Sequence, residues 1–216
     1  MEKQAVVFGA TGLVGNELVK LLSSYNEYQT IITVTRNKIN TELPKVQQCI
    51  VKDFSQIEER SSQLNASVYF CCIGTTIKNA GSQEAFRKVD LDIPVQIAHL
   101  AERLSVPALV IISSIGADAD SSNFYLRTKG EMEEAVKKVY NGNLKIVRPS
   151  LLMGNRKDYR FGERFAIFSM KILGWLFAGP LKKYRGILAT DLARSMIRIT
   201  DYPKSKTVFE SDELHP

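Results

Sequence analysis

Short apolar runs rich in β-branched residues recur along the chain, and stretches with helical spacing of apolar residues separate them. Strands buried on both faces of a parallel sheet have this continuous apolar pattern, and the intervening helices supply the crossovers. The sequence therefore predicts an α/β fold, a Rossmann-type doubly wound parallel sheet with right-handed crossovers and a short C-terminal substrate or lid region. The predicted strands are Ala5–Phe8, Ile31–Thr35, Val46–Val51, Ser67–Ile73, Ala108–Ile112, Leu144–Val147 and, in the tail, Thr207–Phe209.

Helices are predicted between these strands from apolar residues spaced three and four apart. A chain of 216 residues, 44% of them hydrophobic, can bury one sizeable core. We expect residues 1–216 to form a single domain, with residues 150–216 as its smaller substrate or lid portion. The predicted helices are Leu13–Leu22, Gln83–Leu104 with an interruption near Pro94, Phe124–Val139, Phe161–Phe177 and Asp191–Ile199.

Composition excludes several classes of site and partner. The 3 cysteines and 2 histidines show no CxxC or His-Cys spacing, so we expect no metal site and no disulfide framework. A net charge of +6 suits anionic ligands, but no basic motif interleaved with aromatic residues appears, so we expect no nucleic-acid partner. The first residues run directly into a strand, without the apolar segment of a signal peptide, which predicts a cytoplasmic location.

A glycine-rich turn lies between the first strand and the first helix, at Gly9–Gly15. Gly9 permits the tight turn, Gly12 lets the backbone approach a diphosphate, and Gly15 removes a side chain where helix and sheet meet. The free N–H groups and partial positive charge of the helix N-terminus attract phosphates. The turn thus predicts nucleotide binding; the alternative is a tight turn that binds nothing. The predicted cofactor-binding residues here are Gly9, Thr11, Gly12, Leu13, Val14 and Gly15.

The end of the second strand indicates which dinucleotide binds. NAD sites place an acidic residue there to hold the ribose 2′-hydroxyl, whereas this chain continues Thr35–Lys38 without one. Arg36 offers a planar guanidinium suited to a 2′-phosphate. We therefore predict NADP(H) as the cofactor, with NAD(H) less favoured. The alternative for Arg36 and Lys38 is a solvated loop.

Two further strand ends contribute candidate cofactor contacts. After the third strand, Asp53 could accept a hydrogen bond from the adenine amino group and Phe54 could line its slot; equally, Asp53 could cap a helix before Ser55. After the fourth strand, Gly74 would let the chain pass close to the ribose. The cysteines of this segment suit a strand core better than redox chemistry. The predicted contacts after the fourth strand are Cys72, Ile73, Gly74 and Thr75.

A tyrosine and a lysine at helical spacing follow the serines that end the fifth strand. Tyr125 and Lys129 share one helix face, so the ammonium can favour the phenolate and let Tyr125 donate and accept protons. Ser114 would hydrogen-bond the substrate oxygen, and Ser113 would contact the cofactor. The alternative is an exposed Tyr–Lys face. A second YxxxK match, at residues 202–206, contains a proline and follows no serine-ended strand, so we discard it.

Taken together, these motifs resemble the extended or atypical short-chain dehydrogenase/reductase superfamily. Within it, the sequence is most similar to the Tat-interacting-protein-like oxidoreductases, which are related to NmrA-like NAD(P)-binding proteins. The resemblance is carried by Gly9–Gly15, Cys72–Thr76, Ser113–Asp118, Ser121–Tyr125, Lys129–Glu131 and Arg148–Pro149, within about residues 5–165.

This resemblance implies a Rossmann fold with bound NADP(H), and a catalytic triad of Ser114, Tyr125 and Lys129. It also implies that Lys129 holds the nicotinamide ribose, and that Pro149 and Leu151 lie beside the nicotinamide. No asparagine obviously matches the fourth catalytic member of other short-chain enzymes. NmrA-like relatives bind cofactor without established turnover, so the resemblance supports binding more firmly than catalysis.

The sequence thus predicts an NADP(H)-dependent oxidoreductase that transfers hydride to or from a small carbonyl or alcohol substrate. The alternative is a non-catalytic NADP(H)-sensing regulatory protein. Residues 161–181 are the most hydrophobic stretch, which contains Lys171. We expect a lid or core helix there; the alternatives are a homodimer contact or a membrane-surface helix.

Overall fold

The computed structural model describes residues 2–154 and 185–215. Within them, a 7-stranded parallel sheet has the strand order β3-β2-β1-β4-β5-β6-β9, and β7 and β8 form a separate 2-stranded parallel sheet. The predicted doubly wound parallel sheet is therefore confirmed. The strands are β1 Lys3–Phe8, β2 Tyr28–Thr35, β3 Val46–Ile50, β4 Val68–Cys71, β5 Ala108–Ile112, β6 Asn143–Arg148, β7 Leu152–Met153, β8 Ile187–Leu188 and β9 Val208–Glu210.

Helices cover both faces of the large sheet because its strands are apolar on both sides. On one face, α1 and α6 pack with the sheet through residues such as Leu18, Leu22 and Met196. On the other, α4 and α5 contribute Ile97 and Met132 to a second core. The α-helices are α1 Leu13–Ser24, α2 Ile77–Ala80, α3 Gln83–Arg87, α4 Ile93–Arg103, α5 Phe124–Val139 and α6 Ala189–Arg198.

The sheet changes direction at β1 and β4. The chain first moves outward from β1 through β2 to β3, and then returns to β4 on the other side of β1. Ligands of open α/β sheets bind outside the carboxyl ends of the strands at such a switch point. Phe8 is paired with Cys71 across β1 and β4. The chain segments after these two residues, which begin at Gly9 and Cys72, therefore leave the sheet side by side.

The helical region predicted over Gln83–Leu104, with an interruption near Pro94, is confirmed, since helical residues run from Gln83 to Arg103. The structure divides it into α3, a wide π-helical turn at Lys88–Asp92, and α4, with Pro94 in the first turn of α4. The interruption thus lies just before the proline, where Asp90 turns into the protein. The predictions missed helix α2 and the β7–β8 pair, and they included the 3-10 helix at Phe54–Gln63 only as the helix that Asp53 could cap.

The fourth strand is shorter than predicted, since it ends at Cys71 rather than at Ile73. The Cys72 N–H still donates to the carbonyl of Phe8 (2.9 Å), after which the chain passes over Gly9. The predicted helix Phe161–Phe177 and the lid assigned to residues 161–181 lie outside the described residues. In the described ranges, no helix is long and apolar enough to cross a membrane.

Candidate functional site

The glycine turn after β1 is tightly packed against the end of β4. Gly9 adopts a φ of 80°, which side chains disfavour, and a Cβ there would lie 2.9 Å from the carbonyl carbon and oxygen of Cys72. Its own carbonyl accepts a hydrogen bond from the Gly12 N–H (2.9 Å). A Cβ on Gly15 would overlap the Gly9 carbonyl oxygen. Only a chain without side chains at Gly9 and Gly15 can make this turn.

The N-terminus of α1 is left open by this turn. Gly12 is the N-cap, no side chain of residues 2–154 and 185–215 caps the helix, and its first turn carries no acidic residue. The first N–H groups of a helix have no partner within it, and they carry part of the positive end of its dipole. Thr11 is exposed beside them. An anion such as a diphosphate suits this position, because it would satisfy the free N–H groups of the first helical turn.

The segment after β4 meets α5 through a carboxylate that the sequence analysis missed. Asp90, on the π-helical turn, places Oδ1 2.7 Å from Nζ of Lys129. Its Oδ2 accepts a hydrogen bond from the Thr75 N–H at 2.8 Å. A Cβ on Gly74 would lie 3.3 Å from Asp90 Oδ1 and 3.9 Å from Lys129 Nζ. The structure thus brings Gly74, Thr75 and Lys129 together.

Lys129 is charged although it is buried. The side chains of Lys129 and Asp90 are only 4% and 1% exposed. Burial alone would lower the pKa of Lys129, but electrostatic interactions, first with Asp90 and then with Tyr125, more than offset burial, so the pKa is raised above its ordinary value. At neutral pH the site therefore holds an ammonium ion next to a carboxylate.

Tyr125 lies in the first turn of α5, four residues before Lys129. Asn123 caps this helix: its Oδ1 accepts hydrogen bonds from the N–H groups of Tyr125 (3.0 Å) and Leu126 (3.2 Å). The half-buried Tyr125 ring packs against Phe86 at 5.6 Å between centroids. The predicted Tyr–Lys pair is thus held on one helix face by a cap and an aromatic contact.

The two serines after β5 differ in their surroundings. Ser113 is buried, and its Oγ donates to Oε1 of Glu133 at 2.6 Å. Ser114 is half-buried, and its Oγ donates a long hydrogen bond (3.3 Å) to the carbonyl oxygen of Ile115. A ligand oxygen could replace the long hydrogen bond of Ser114, whereas the short hydrogen bond of Ser113 to Glu133 is buried.

Glu133 joins a second buried network, which the sequence analysis also missed. Arg148 donates from Nε to Glu133 Oε1 (2.9 Å) and from a terminal nitrogen to Oε2 (2.7 Å). The same guanidinium binds Glu210 on β9 at 3.0 Å. The carboxylate of Glu133 raises the pKa of Arg148 above its ordinary value. Arg148 is therefore engaged within the protein.

The residues predicted to bind the adenosine half lie at the outer strands. Arg36 and Lys38 are exposed, and the Arg36 side chain has no ion-pair or hydrogen-bond partner within residues 2–154 and 185–215. Asp53 caps the 3-10 helix, accepting from the Ser55 N–H at 3.0 Å, and this hydrogen bond lowers the pKa of Asp53. Phe54 packs 6.2 Å from the ring of Phe8. Asp53 therefore caps a helix, as the alternative interpretation of the sequence stated. Its contact with adenine stays a prediction.

The segment after β6 returns toward the glycine turn. The Pro149 carbonyl accepts from the Ile115 N–H (3.1 Å), and the Leu151 carbonyl from the Ile187 N–H (3.0 Å). Gly154 lies against the side chain of Leu13, where a Cβ would come within 2.7 Å. Pro149 and Leu151 thus border the same edge of the sheet as the glycine turn.

One sequence signal could have revealed Asp90. It occupies the buried stripe of its helical region, between Phe86 and Ile97, where an unpaired carboxylate is costly. A charged residue on an apolar stripe therefore indicates a buried partner, but the sequence does not say which one.

Comparisons with known proteins place this geometry in a family. The family model "NAD dependent epimerase/dehydratase family" matches residues 5–208. A relative from Lodderomyces elongisporus, "Protein FMP52, mitochondrial", is 31% identical over 211 residues, covering 93% of this chain and 88% of its own. The rat "Protein HTATIP2" is 33% identical over 168 residues, covering 76% and 69%.

Solved structures share the fold at low sequence identity. MoeE5, solved with UDP-glucose and NAD, has a TM-score of 0.71 and 12% identity, covering 98% of this chain and 79% of its own. The dTDP-4-dehydrorhamnose reductase of Bacillus anthracis, solved with NADP, has a TM-score of 0.64 and 16% identity, covering 97% and 74%. These likenesses support the Rossmann-type fold.

The comparisons correct the predicted compartment. The expected cytoplasmic location is wrong, because fungal relatives from several species are named as mitochondrial proteins. The prediction relied on the lack of a secretory signal, which does not distinguish compartments within the cell.

The fold, the glycine turn and the sequence similarity all indicate the same family, and the similarity covers nearly the whole chain. The similarity to HTATIP2 also bears out the resemblance to Tat-interacting-protein-like relatives. This chain belongs to the NAD dependent epimerase/dehydratase family, with the Rossmann-type fold of short-chain dehydrogenases/reductases.

Proposed function

We propose that this protein is an NADP(H)-dependent oxidoreductase that acts on a small carbonyl or alcohol substrate. The observation that carries the proposal is a convergence at one edge of the sheet. The uncapped N-terminus of α1 and the buried ammonium of Lys129 both border the segment that follows β4. The helix N-terminus suits a diphosphate. The ammonium suits the ribose and a substrate oxygen that gains negative charge during the reaction.

The glycine turn and Arg36 would hold the dinucleotide. Gly9–Gly15 would bind the diphosphate through backbone N–H groups, and the exposed Arg36 would pair with a 2′-phosphate. Family membership supports a nicotinamide dinucleotide. Among the structural neighbours, MoeE5 is seen with NAD and the Bacillus anthracis reductase with NADP, so the preference for NADP(H) rests on Arg36.

When bound, the nicotinamide would supply the hydride transfer. Tyr125 would donate its phenolic proton to the alkoxide that forms when a carbonyl is reduced, and would accept it in the reverse direction. Ser114 would donate a hydrogen bond to the same oxygen. Lys129 would stabilise the phenolate of Tyr125 and bind ribose hydroxyls. Such acid–base assistance contributes roughly 10²–10⁴ in rate.

One observation favours the alternative of a non-catalytic NADP(H) sensor. Asp90 lies 2.7 Å from the Lys129 ammonium and compensates much of its charge. A compensated ammonium stabilises a phenolate less strongly than a free one. A sensor would bind the dinucleotide without turnover, and the bound dinucleotide would change the affinity of the protein for a partner.

Replacing Tyr125 by phenylalanine separates the two functions. For an oxidoreductase we expect Tyr125→Phe to lower kcat at least about 100-fold while NADPH affinity changes little, because only the proton donor is lost. Tyr202→Phe is the matched control, since Tyr202 belongs to the discarded YxxxK match and packs against Phe209. Turnover that survives Tyr125→Phe contradicts the catalytic role. NADPH binding without oxidation by any carbonyl of a broad panel favours the sensor.

The cofactor preference is tested by reversing the charge of Arg36. We expect the wild-type protein to bind NADP(H) more tightly than NAD(H), and Arg36→Asp to weaken NADP(H) binding at least about tenfold with little effect on NAD(H). Lys38→Asp, at another exposed position of the same loop, controls for the general change in charge. A preference that Arg36→Asp leaves intact contradicts this assignment.

A further inference from the structure

We infer that Asp90 is a positioning residue that holds the Lys129 ammonium and the Gly74–Thr75 backbone in one arrangement at the proposed dinucleotide site. The inference rests on the proposed function and adds a residue to it. One carboxylate serves both partners: Oδ1 lies 2.7 Å from Lys129 Nζ, and Oδ2 accepts from the Thr75 N–H at 2.8 Å. Asp90 therefore connects the segment after β4 to α5.

The π-helical turn brings Asp90 to this place. Lys88–Asp92 forms a wider turn than the α-helices on either side, and such turns are frequent at functional sites. Asp90 is 1% exposed, whereas Asp92 of the same turn is exposed. A buried carboxylate is costly unless it is paired and hydrogen-bonded, and Lys129 and Thr75 supply both interactions.

Asp90 also controls the charge of Lys129. The titratable groups that face this ammonium are Asp90 from the π-helical turn, Tyr125 from its own helix and Cys71 from β4. Burial favours the neutral amine, and Asp90 is the strongest group that opposes burial. Cys71 contributes little negative charge at neutral pH, because burial raises the pKa of its thiol to about 11. Without Asp90, Lys129 would deprotonate at a lower pH.

The same carboxylate fixes the backbone that would pass along the ribose. A side chain at Gly74 would come within 3.3 Å of Asp90 Oδ1, so Gly74, Asp90 and Lys129 are in close contact. The position of this backbone and the position of the ammonium therefore depend on the same side chain.

Asp90→Asn tests this inference, because it keeps the size and one carbonyl oxygen while removing the charge. The first readout is the Lys129 Cε NMR signal of the ligand-free protein during a pH titration, assigned by its loss in Lys129→Arg. In the wild-type protein we expect the midpoint to lie above the ordinary value of 10.5. In Asp90→Asn it should fall by at least about one unit, since burial is no longer offset. Asp92→Asn should leave it unchanged.

NADPH affinity against pH is the second readout. Asp90→Asn should bind NADPH nearly as well as the wild-type protein at pH 6.5, where Lys129 is still protonated, and at least about twofold more weakly at pH 9.5, where a midpoint lowered by one unit leaves about half of Lys129 neutral. A purely structural role would weaken binding equally at both pH values, and that result would overturn the inference.

The two proposals can fail separately. If the protein binds no dinucleotide, the proposed function fails, while the Lys129 titration still tests the ion pair. If Asp90→Asn does not fold, the wild-type titration decides: a Lys129 midpoint below 10.5 contradicts a supporting carboxylate. An unchanged midpoint in a folded Asp90→Asn variant contradicts it as well.

Discussion

At the scale of single residues, two glycines determine whether the turn after β1 can form. Gly9 needs its positive φ, and Gly15 needs the space that the Gly9 carbonyl fills. Gly12 is less restricted, because a Cβ there would lie 3.2 Å from the same carbonyl oxygen. The three glycines of the motif therefore have unequal structural roles, although the sequence treats them alike.

We predict that Gly15→Ala is much more damaging than Gly12→Ala. The new methyl group of Gly15→Ala must displace the Gly9 carbonyl, and such overpacking costs about 1–3 kcal/mol. Because the displaced backbone belongs to the turn, NADPH affinity should fall at least about tenfold. Urea unfolding and calorimetric titration measure the two effects. Equal losses in the two variants would contradict this account of the turn.

The sequence analysis identified the site residues that belong to recognisable motifs, but it missed the residues that pair with them. The glycine spacing and the Tyr125–Lys129 interval are local patterns, so they could be recognised without a structure. Asp90 forms an ion pair with Lys129, and Glu133 forms one with Arg148. In each pair the partner is distant in sequence and lies on another element. Periodicity indicates that these carboxylates are buried, but the pairing depends on how the elements pack.

At the scale of elements, α5 carries both Tyr125 and Lys129, and its N-cap sets where the helix begins. Asn123 accepts two backbone N–H groups of the first turn. A helix that began after Tyr125 would leave this residue outside the helix, and Tyr125 would no longer share a helix face with Lys129. The cap therefore matters for the site as well as for stability.

We predict that Asn123→Ala lowers the free energy of unfolding by about 1 kcal/mol, within the usual range of about 0.5–2 kcal/mol for a lost cap. NADPH binding should weaken in parallel, because the start of α5 frays. Ser122→Ala, at the neighbouring exposed position, is the control. If chemical denaturation gives the same stability for both variants, Asn123 does not cap the helix in solution.

Elements with regular apolar periodicity were predicted well, and irregular ones were not. The prediction for α5, Phe124–Val139, matches the structure in full, because its apolar face has helical spacing. The π-helical turn was missed since it depends on the tertiary partners of Asp90. The 3-10 helix at Phe54–Gln63 was predicted only through its possible Asp53 cap, because its sequence is largely polar and buries only Ile57.

At the scale of the whole molecule, Glu133 ties α5 to one half of the sheet. Its carboxylate binds Ser113 after β5 and Arg148 at the end of β6, and Arg148 in turn binds Glu210 on β9. Three neighbouring strand ends are thus linked to the helix that bears the proposed catalytic residues. This network accounts for the buried position of a charged residue on α5.

We predict that Glu133→Ala lowers the free energy of unfolding by about 3 kcal/mol. Breaking a buried ion pair costs about 3–5 kcal/mol, and we take the low end because Arg148 keeps Glu210 and is partly exposed. Glu134→Ala, next along the helix and exposed, should change stability by less than about 0.5 kcal/mol. Urea unfolding of both variants measures the difference, and similar values would contradict the network.

The central claim is that the open N-terminus of α1 binds the diphosphate of a dinucleotide. Backbone amide NMR of the protein during titration with NADPH tests it most directly. We predict saturable shifts of the Leu13, Val14 and Gly15 amides, which the Gly15→Ala variant loses. Amides of this turn that stay unmoved at millimolar NADPH would contradict the claim, whatever changes occur elsewhere in the protein.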